Sequence, residues 1–146
     1  PGGGGPATRS LSATREACLI ISFDIDNCVT RHLDQFLFLA RAIQAAGGTV
    51  HFVTARPETD RTVTIQHLTD MGFEFVADAH ADCLHMYPEF YAYPWESDEA
   101  AQRYHRLHAE WKAQKCTELR VSLHFDDAKD VIAHVSAAGV PAFHVV

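Results

Sequence analysis

The stretch LIISFDIDNCVT, residues 19–30, decides the fold of this chain. Its first residues are almost continuously apolar, which is typical of a strand buried on both faces of a parallel sheet. Asp24 and Asp26 follow at the carboxyl end of this strand, which is the edge where α/β sheets bind ligands. Two carboxylates one residue apart repel each other unless a cation or a shared proton lies between them. The stretch therefore indicates a chemical site, with an acidic helix cap as the structural alternative.

Length and composition fit one globular domain. The chain has 146 residues, of which 47% are hydrophobic and 21% charged, and this is enough for a sizeable core. We expect residues 1–15, which open with a Pro- and Gly-rich segment, to form a flexible tail, and residues 16–146 to form a single domain. The net charge of −7 disfavours non-specific binding to nucleic acids or to membrane surfaces.

The cysteines and the hydropathy favour a cytoplasmic location. Four Cys are scattered along the chain without a C-x-x-C pair, which suits reduced thiols rather than a disulfide framework. No apolar run approaches the roughly 18 residues that a membrane span requires. The N-terminal segment also lacks the apolar core of a signal peptide, so we expect no membrane partner.

The order of apolar patterns predicts an α/β fold. Strands are predicted at 19–23, 49–53, 73–77, 120–125 and 140–146, and helices at 32–46, 58–71, 98–115 and 128–138, with Asp98 as an N-cap and a long loop at 78–97. Alternating strands and helices give a parallel sheet with right-handed crossovers and helices on both faces. We see no internal repeat and no second domain.

Chemically useful side chains follow three of these strands. They are Asp24 and Asp26 after the first strand, Thr54 and Arg56 after the second, and Asp126, Asp127 and Asp130 after the fourth. Parallel strands bring their carboxyl ends to one edge, so these groups converge in space. The acids suit Mg²⁺, and a hydroxyl, a guanidinium and backbone N–H groups suit a phosphate. Together they suggest phosphoryl transfer to an aspartate.

The ordered motifs resemble the haloacid dehalogenase (HAD) superfamily of phosphatases. The matching motifs are Asp24-x-Asp26, a strand ending in Thr54, and Asp126-Asp127-x-x-Asp130, and the resemblance covers about residues 18–146. It implies a three-layer, Rossmann-like fold with a five-stranded parallel sheet. The segments that follow the first and third predicted strands are too short for the cap domain of many members, so we expect an open site.

The resemblance implies a role for each catalytic position. Asp24 would be the nucleophile that becomes an aspartyl-phosphate, and Asp26 the general acid and base. Thr54 would hydrogen-bond the transferring phosphoryl group. Asp126 and Asp127 would hold Mg²⁺ with Asp24 and the backbone carbonyl of Asp26. Because Asp26 must keep its proton when substrate binds, we expect its pKa to be raised.

Two residues depart from the family pattern. Asn27 replaces the usual Gly, although Asn tolerates unusual backbone angles, and we expect it to contact substrate. Cys28 replaces the usual Thr. The resemblance also implies that Asp130 acts through water, beside the Mg²⁺ ligands Asp126 and Asp127.

The lysine that the family places before its last acidic motif has no obvious counterpart. Since the helix after Asp98 runs antiparallel to the fourth strand, its carboxyl end lies at the wrong edge of the sheet. A helix needs about eleven residues to span the length of that strand. Counting back from Cys116 favours Arg106, then Lys112 as a substrate-binding alternative, then Arg103. An always-charged Arg would replace the lysine.

A closer resemblance is to the phosphatase domain of polynucleotide kinase, which removes 3′-phosphates. The short cap and the sequence TARPE at residues 54–58 are similar. This resemblance implies that Arg56 contacts the phosphate. It adds a nucleic-acid end to the candidate substrates, beside small phosphorylated metabolites and nucleotides.

The loop at 78–97 has several interpretations. Its ligand types, from Asp78 to His85, permit a zinc site, although their spacing is not a standard one. The aromatic residues Tyr87, Phe90, Tyr91, Tyr93 and Trp95 suit either stacking on a base or a satellite core or homodimer contact, of which we favour the latter. His51, His67, His124, His134 and His144 are expected to be surface or packed residues.

Two functional hypotheses follow from these observations. The first is a Mg²⁺-dependent phosphatase that acts on a phosphomonoester through Asp24. The second is a HAD-fold binding or regulatory module without turnover, which Asn27, Cys28 and the missing lysine motivate.

Overall fold

Five parallel strands form one sheet in this computed structural model, which describes residues 18–78, 82–90 and 92–146. The strands are β1 (Ile20–Phe23), β2 (Thr49–Pro57), β3 (Leu84–Tyr87), β4 (Leu123–Asp126) and β5 (Ala142–His144). Their order in the sheet is β3-β2-β1-β4-β5. Every neighbouring pair is parallel. The predicted α/β class and parallel sheet are confirmed, and the arrangement is Rossmann-like with β1 at its centre.

The described part of the chain has five α-helices. They are α1 (Leu33–Ala45), α2 (Arg61–Met71), α3 (Phe75–Asp78), α4 (Asp98–Glu118) and α5 (Lys129–Ala137). An irregular turn over Ile25–Val29, closed by a hydrogen bond from the N–H of Thr30 to the carbonyl oxygen of Ile25, follows β1, and a 3₁₀ turn over Glu58–Asp60 precedes α2. Within the described residues, no helix combines the length and the apolar composition of a membrane span.

The helices cover both faces of the sheet because neighbouring strand residues point to opposite faces. Ile21 and Phe23 of β1 pack with α1 in the larger apolar cluster. Ile20, the neighbour of Ile21 in β1, packs on the opposite face with α4 and α5 in a second cluster. The sequence of α1 explains how it packs on the sheet, since Phe36, Ala40 and Ile43 recur at helical spacing and are buried.

The predicted third strand at 73–77 is wrong. Gly72 takes a left-handed conformation (φ 110°) that ends α2, and the chain then turns through the short helix α3. The strand lies later, at Leu84–Tyr87, inside the stretch predicted as a loop. It is an edge strand in which only Leu84 and Met86 are buried. Because His85 and Tyr87 alternate with them, the segment lacks the continuous apolar run that indicates a buried strand.

Other element boundaries also shift. β2 extends to Pro57, while β4 begins only at Leu123 because α4 continues to Glu118. The N-cap of α4 is Ser97 rather than Asp98, since the Ser97 hydroxyl accepts a hydrogen bond from the N–H of Ala100 at 3.1 Å. The predicted tail at 1–15, together with His80 and Tyr91, lies outside the described residues.

Candidate active site

A lysine between two buried carboxylates forms the centre of the site. Lys112 Nζ of α4 donates to Asp24 Oδ1 and to Asp126 Oδ2, each at 2.8 Å. The register of β1 and β4 pairs Ser22 with His124, so Asp24 and Asp126 emerge side by side two residues later. The convergence predicted for these strand ends is therefore present.

Lys112, not Arg106, supplies the cation at this centre. The Arg106 side chain is 59% exposed and faces Glu110 at 3.8 Å, and Arg103 is also exposed. The preferred order was wrong because it compared backbone heights alone. Helical side chains lean toward the helix N-terminus, which here is the active edge, and a long lysine stem adds further reach. β4 is also shorter than predicted, so less height has to be regained.

Burial and shared charge give the two carboxylates opposite pKa shifts. Burial raises the pKa of Asp24 to about 7, although Lys112 opposes the change. Burial alone would raise the pKa of Asp126 as well, but Lys112 and His124 lower it to about 2. Burial alone would lower the pKa of Lys112, yet the two carboxylates raise it, so the lysine stays charged. Lys112 thus contacts one carboxylate that stays ionised, Asp126, and one that binds a proton readily, Asp24.

His124 supports this centre from inside the sheet. Its Nε2 lies 3.0 Å from Asp126 Oδ2, and its Nδ1 lies 2.7 Å from the hydroxyl of Ser22. Both His124 and Ser22 are fully buried. A ring with a proton on Nε2 satisfies both contacts, by donating to the carboxylate and accepting from the serine at Nδ1. His124 was predicted to be a surface or packed residue. Its position two residues before Asp126 on a strand, hence on the same face, is the signal that identifies it.

Three carboxylates can hold a metal ion. One oxygen from each of Asp24, Asp126 and Asp127 lies within 4.8 Å of the others, and this is the one such group among the described residues. An all-oxygen, anionic donor set at this spacing fits a hard divalent cation such as Mg²⁺. The donor set predicted for Asp24, Asp126 and Asp127 is therefore assembled. Asp130 is exposed and lines the same cavity without joining the group.

Asp26 belongs to a different pair. Arg56 Nε and Nη2 donate to its two carboxylate oxygens at 2.9 and 2.8 Å, and the Asp26 side chain is 55% exposed. Arg56 Nη1 also donates to Thr64 and His67 at 3.3 Å. The hydrogen bonds from Arg56 lower the pKa of Asp26. The expectation of a raised pKa is therefore wrong for this arrangement, because a bidentate guanidinium favours the ionised carboxylate.

The turn after β1 has the conformation that its sequence suggested. Asn27 has φ 59°, the left-handed region that Asn tolerates better than most residues. Cys28 is fully buried, and its thiol lies 3.7 Å from the carbonyl oxygen of Phe125. Burial raises the pKa of Cys28, so its role is packing rather than chemistry. Cys83 and Cys116 are likewise buried thiols.

An open cavity of about 210 Å³ lies above the carboxylates. Every predicted site residue lines it except Arg56, Arg103 and Arg106, and Arg56 reaches it through Asp26. Thr54 is 1% exposed, and its hydroxyl accepts from the N–H of Arg56 at 3.1 Å. Tyr104, His105 and His108 of α4 complete the wall, and sequence reasoning missed all three. They recur at helical spacing one and two turns before Lys112, which is the signal that identifies them.

Tyr87 and Tyr93 of the predicted loop pack against α4. The Tyr87 ring lies 4.3 Å from that of His108 and 5.5 Å from that of Trp111. Tyr93 contacts Trp95 at 4.4 Å and Tyr104 at 5.3 Å. Phe90 is 71% exposed. Among the described residues of this loop no metal-binding group forms, and the zinc prediction involving His80 falls partly outside them.

Comparison with protein-family models, with curated proteins and with solved structures finds no match to this chain.

Proposed function

We propose that this chain is a Mg²⁺-dependent phosphatase of the HAD type that hydrolyses a phosphomonoester through an aspartyl-phosphate on Asp24. The single observation that supports this most is the position of Lys112, 2.8 Å from both Asp24 and Asp126. A buried cation between a carboxylate at the end of the central strand and one at the end of its neighbour has little structural benefit. Burying such charges costs free energy that apolar residues would not. An anionic substrate gives the arrangement a purpose.

In the first step a carboxylate oxygen of Asp24 attacks the phosphorus atom, and the ester P–O bond breaks. The leaving oxygen takes a proton from Asp26. In the second step Asp26 removes a proton from water as the water oxygen attacks the phosphorus. The bond to Asp24 then breaks, which releases inorganic phosphate and restores the carboxylate.

The other residues manage charge and orientation. Lys112 fixes the Asp24 carboxylate and partly neutralises the negative charge of the reacting groups. Thr54, buried at the end of β2, presents its hydroxyl to the phosphoryl oxygens. Asp24, Asp126 and Asp127 would hold Mg²⁺, which would supply further positive charge to the reacting groups.

The Asp26–Arg56 pair must open during turnover. Asp26 can donate a proton only after it has lost the guanidinium that keeps it ionised. A substrate phosphate competes for the same guanidinium, and a dianion binds Arg in the same bidentate manner as a carboxylate. Substrate binding therefore transfers Arg56 from Asp26 to the phosphate and allows Asp26 to take up a proton.

The test combines turnover with trapping of the intermediate. Phosphate release from p-nitrophenyl phosphate with Mg²⁺ is compared between the wild type, Asp24→Asn and the control Asp34→Asn, which alters an exposed acid of α1. Asp24→Asn should abolish release, and the control should retain it. Borohydride added during turnover should convert residue 24 to homoserine, which mass spectrometry detects. Undiminished release by Asp24→Asn would end the proposal.

The second candidate is a HAD-type binding or regulatory module without turnover. The bidentate contact of Arg56 with Asp26 favours it, because that contact withholds the proton donor. This candidate predicts saturable binding of Mg²⁺ and inorganic phosphate by calorimetry, with no phosphate release from a broad substrate panel. Release from any member of the panel that Asp24→Asn abolishes would exclude it.

A further inference from the structure

The cavity above Asp24 is small and open. Its volume of about 210 Å³ lies below the range of about 300–1,000 Å³ that encloses a whole drug-sized ligand. It therefore accepts a phosphoryl group and the atoms next to it. The remainder of a substrate must lie on the rim, so the rim residues select the leaving group.

One side of that rim is aromatic. Tyr104 and His105 line the cavity, with their ring centres 5.4 Å apart. Tyr93 lies 5.3 Å from Tyr104 and 5.7 Å from His105, and it contacts Trp95 at 4.4 Å. Tyr93, Trp95, Tyr104 and His105 thus form a continuous aromatic rim that begins at the cavity. Trp95 is 87% exposed, which is unusual for a residue type that is highly buried on average.

The charges of the cavity limit the size of the anion. Five carboxylates line it, those of Asp24, Asp26, Asp126, Asp127 and Asp130, against Lys112 and the guanidinium of Arg56 that contacts Asp26. A single phosphate beside a bound divalent cation is compatible with this balance. A polynucleotide adds one negative charge per nucleotide and would meet repulsion beyond the first phosphate. The rim therefore suits a flat ring on a small monoester better than a nucleic-acid end.

We propose that the substrate is a small phosphomonoester whose leaving group bears an aromatic ring, and that this ring stacks on the aromatic rim formed by Tyr93, Trp95, Tyr104 and His105. This inference rests on the proposed phosphatase function. The shared chemistry, a ring close to one phosphate, has two sources: nucleoside monophosphates and phosphate esters of aryl or benzylic alcohols. Stacking on aromatic side chains accepts either, because every such ring has a π-face.

Substrates matched in leaving-group chemistry test the inference. Adenosine 5′-monophosphate is compared with ribose 5-phosphate, and benzyl phosphate with ethyl phosphate, so that each pair differs in the ring. We expect kcat/KM to be about tenfold or more higher for the ring-bearing member, from the usual strength of base–aromatic stacking. The larger of the two ratios identifies the source. A 3′-phosphorylated oligonucleotide hydrolysed more efficiently than adenosine 5′-monophosphate would overturn the proposal.

Variants of the rim locate the preference. Tyr104→Ala should reduce the ring-to-ringless ratio of kcat/KM toward one. Tyr104→Phe retains a ring and should retain the ratio. Trp95→Ala, farther from the cavity, should give a smaller reduction. Phe38→Ala is the control, because Phe38 is 75% exposed on α1 and does not line the cavity. A ratio that no rim variant changes would overturn the proposal.

A binding measurement separates this proposal from the phosphatase proposal. Asp24→Asn retains the rim, so calorimetry with the same pairs of compounds reads stacking without turnover. If the wild type releases phosphate from no substrate while Asp24→Asn binds the ring-bearing members more tightly, the phosphatase function ends and the aromatic site stands. Equal affinities within each pair would overturn the aromatic site whether or not phosphate is released.

Discussion

Two ion pairs at the same edge of the sheet differ in how far they are buried. The central pair joins Lys112 to Asp24, and the same lysine also contacts Asp126; the side chains of Lys112, Asp24 and Asp126 are 5%, 8% and 0% exposed. In the outer pair, Arg56 is 19% and Asp26 is 55% exposed. Both join a carboxylate to a cation at 2.8 Å, so distance alone does not distinguish them.

Burial explains why Asp24 and Asp26 have opposite pKa shifts, whereas at the buried Asp126 the contacts from Lys112 and His124 outweigh burial. Desolvation outweighs the lysine at Asp24, and the pKa of that carboxylate is raised to about 7. Water remains at Asp26, so the hydrogen bonds from Arg56 dominate and its pKa is lowered. A buried pair is costly to break, whereas a wet pair opens easily and suits a group that must exchange partners.

Breaking the central pair should have the largest effect. Lys112→Met leaves two carboxylates buried without their cation, and we expect a loss of about 3–5 kcal/mol in the free energy of unfolding. Urea denaturation near neutral pH without Mg²⁺ measures it. The matched control is Lys115→Met, which removes the contact with the solvent-exposed Glu118 and should have a much smaller effect. Equal losses in the two variants would contradict the distinction drawn from burial.

The pH dependence of stability should report on Asp24. The folded pKa of about 7 exceeds the ordinary value of 3.8, so the folded chain binds this proton more tightly than the unfolded chain does. Its contribution is complete below pH 3.8 and is lost as the pH rises through about 7. We expect the metal-free protein to lose on the order of 3 kcal/mol over that interval. Asp126, with its lowered pKa, loses its own contribution only as the pH falls toward about 2.

Asp24→Asn provides the control for this pH series. The amide does not titrate, so the decline between about pH 4 and pH 7 should disappear. Saturating Mg²⁺ should reduce the same decline in the wild type, since a cation favours the ionised carboxylate. Unfolding curves that decline equally in the wild type and in Asp24→Asn would show that another group causes the dependence.

Removing the internal support of Asp126 should have an intermediate effect. His124→Leu leaves the Ser22 hydroxyl with only the thiol of Cys116 and removes one hydrogen bond from Asp126, and we expect a loss of about 1–3 kcal/mol. Calorimetric titration should also show weaker Mg²⁺ binding, because Asp126 is then held by fewer contacts. His124→Gln, which keeps hydrogen-bonding groups, should recover part of both. If His124→Gln and His124→Leu bind Mg²⁺ equally, His124 only fills space.

Breaking the outer pair should have the smallest effect on stability. Arg56→Met removes a half-exposed ion pair, and we expect a loss below about 1 kcal/mol. The pKa of Asp26, followed by ¹³C NMR of its carboxyl carbon, should rise toward the ordinary value because the guanidinium that lowers it is gone. An unchanged pKa would mean that the contact in the structure does not persist in solution.

Sequence reasoning placed the acids better than the cations. Asp24, Asp126 and Asp127 follow strands of a parallel sheet, and topology alone brings such positions together. The cation lies on a helix, where the position of a charged group depends on the length and direction of its side chain. For this reason Lys112, and not Arg106, reaches the carboxylates. The third strand was missed for a related reason, because Leu84–Tyr87 lies at the sheet edge and buries only alternate residues.

The sequence by itself determined that the chain is α/β with a parallel sheet and that acids gather at one edge. These features depend on patterns local in the chain, namely an apolar run, helical spacing and a residue that follows a strand. Only the tertiary structure decided which groups share a proton, a cation or a cavity. Lys112 lies 88 positions from Asp24, Ser22 contacts His124 from the neighbouring strand, and Tyr104 joins the rim from α4. Electrostatic effects depend on distance and burial in space, and neither is encoded in the spacing of residues along the chain.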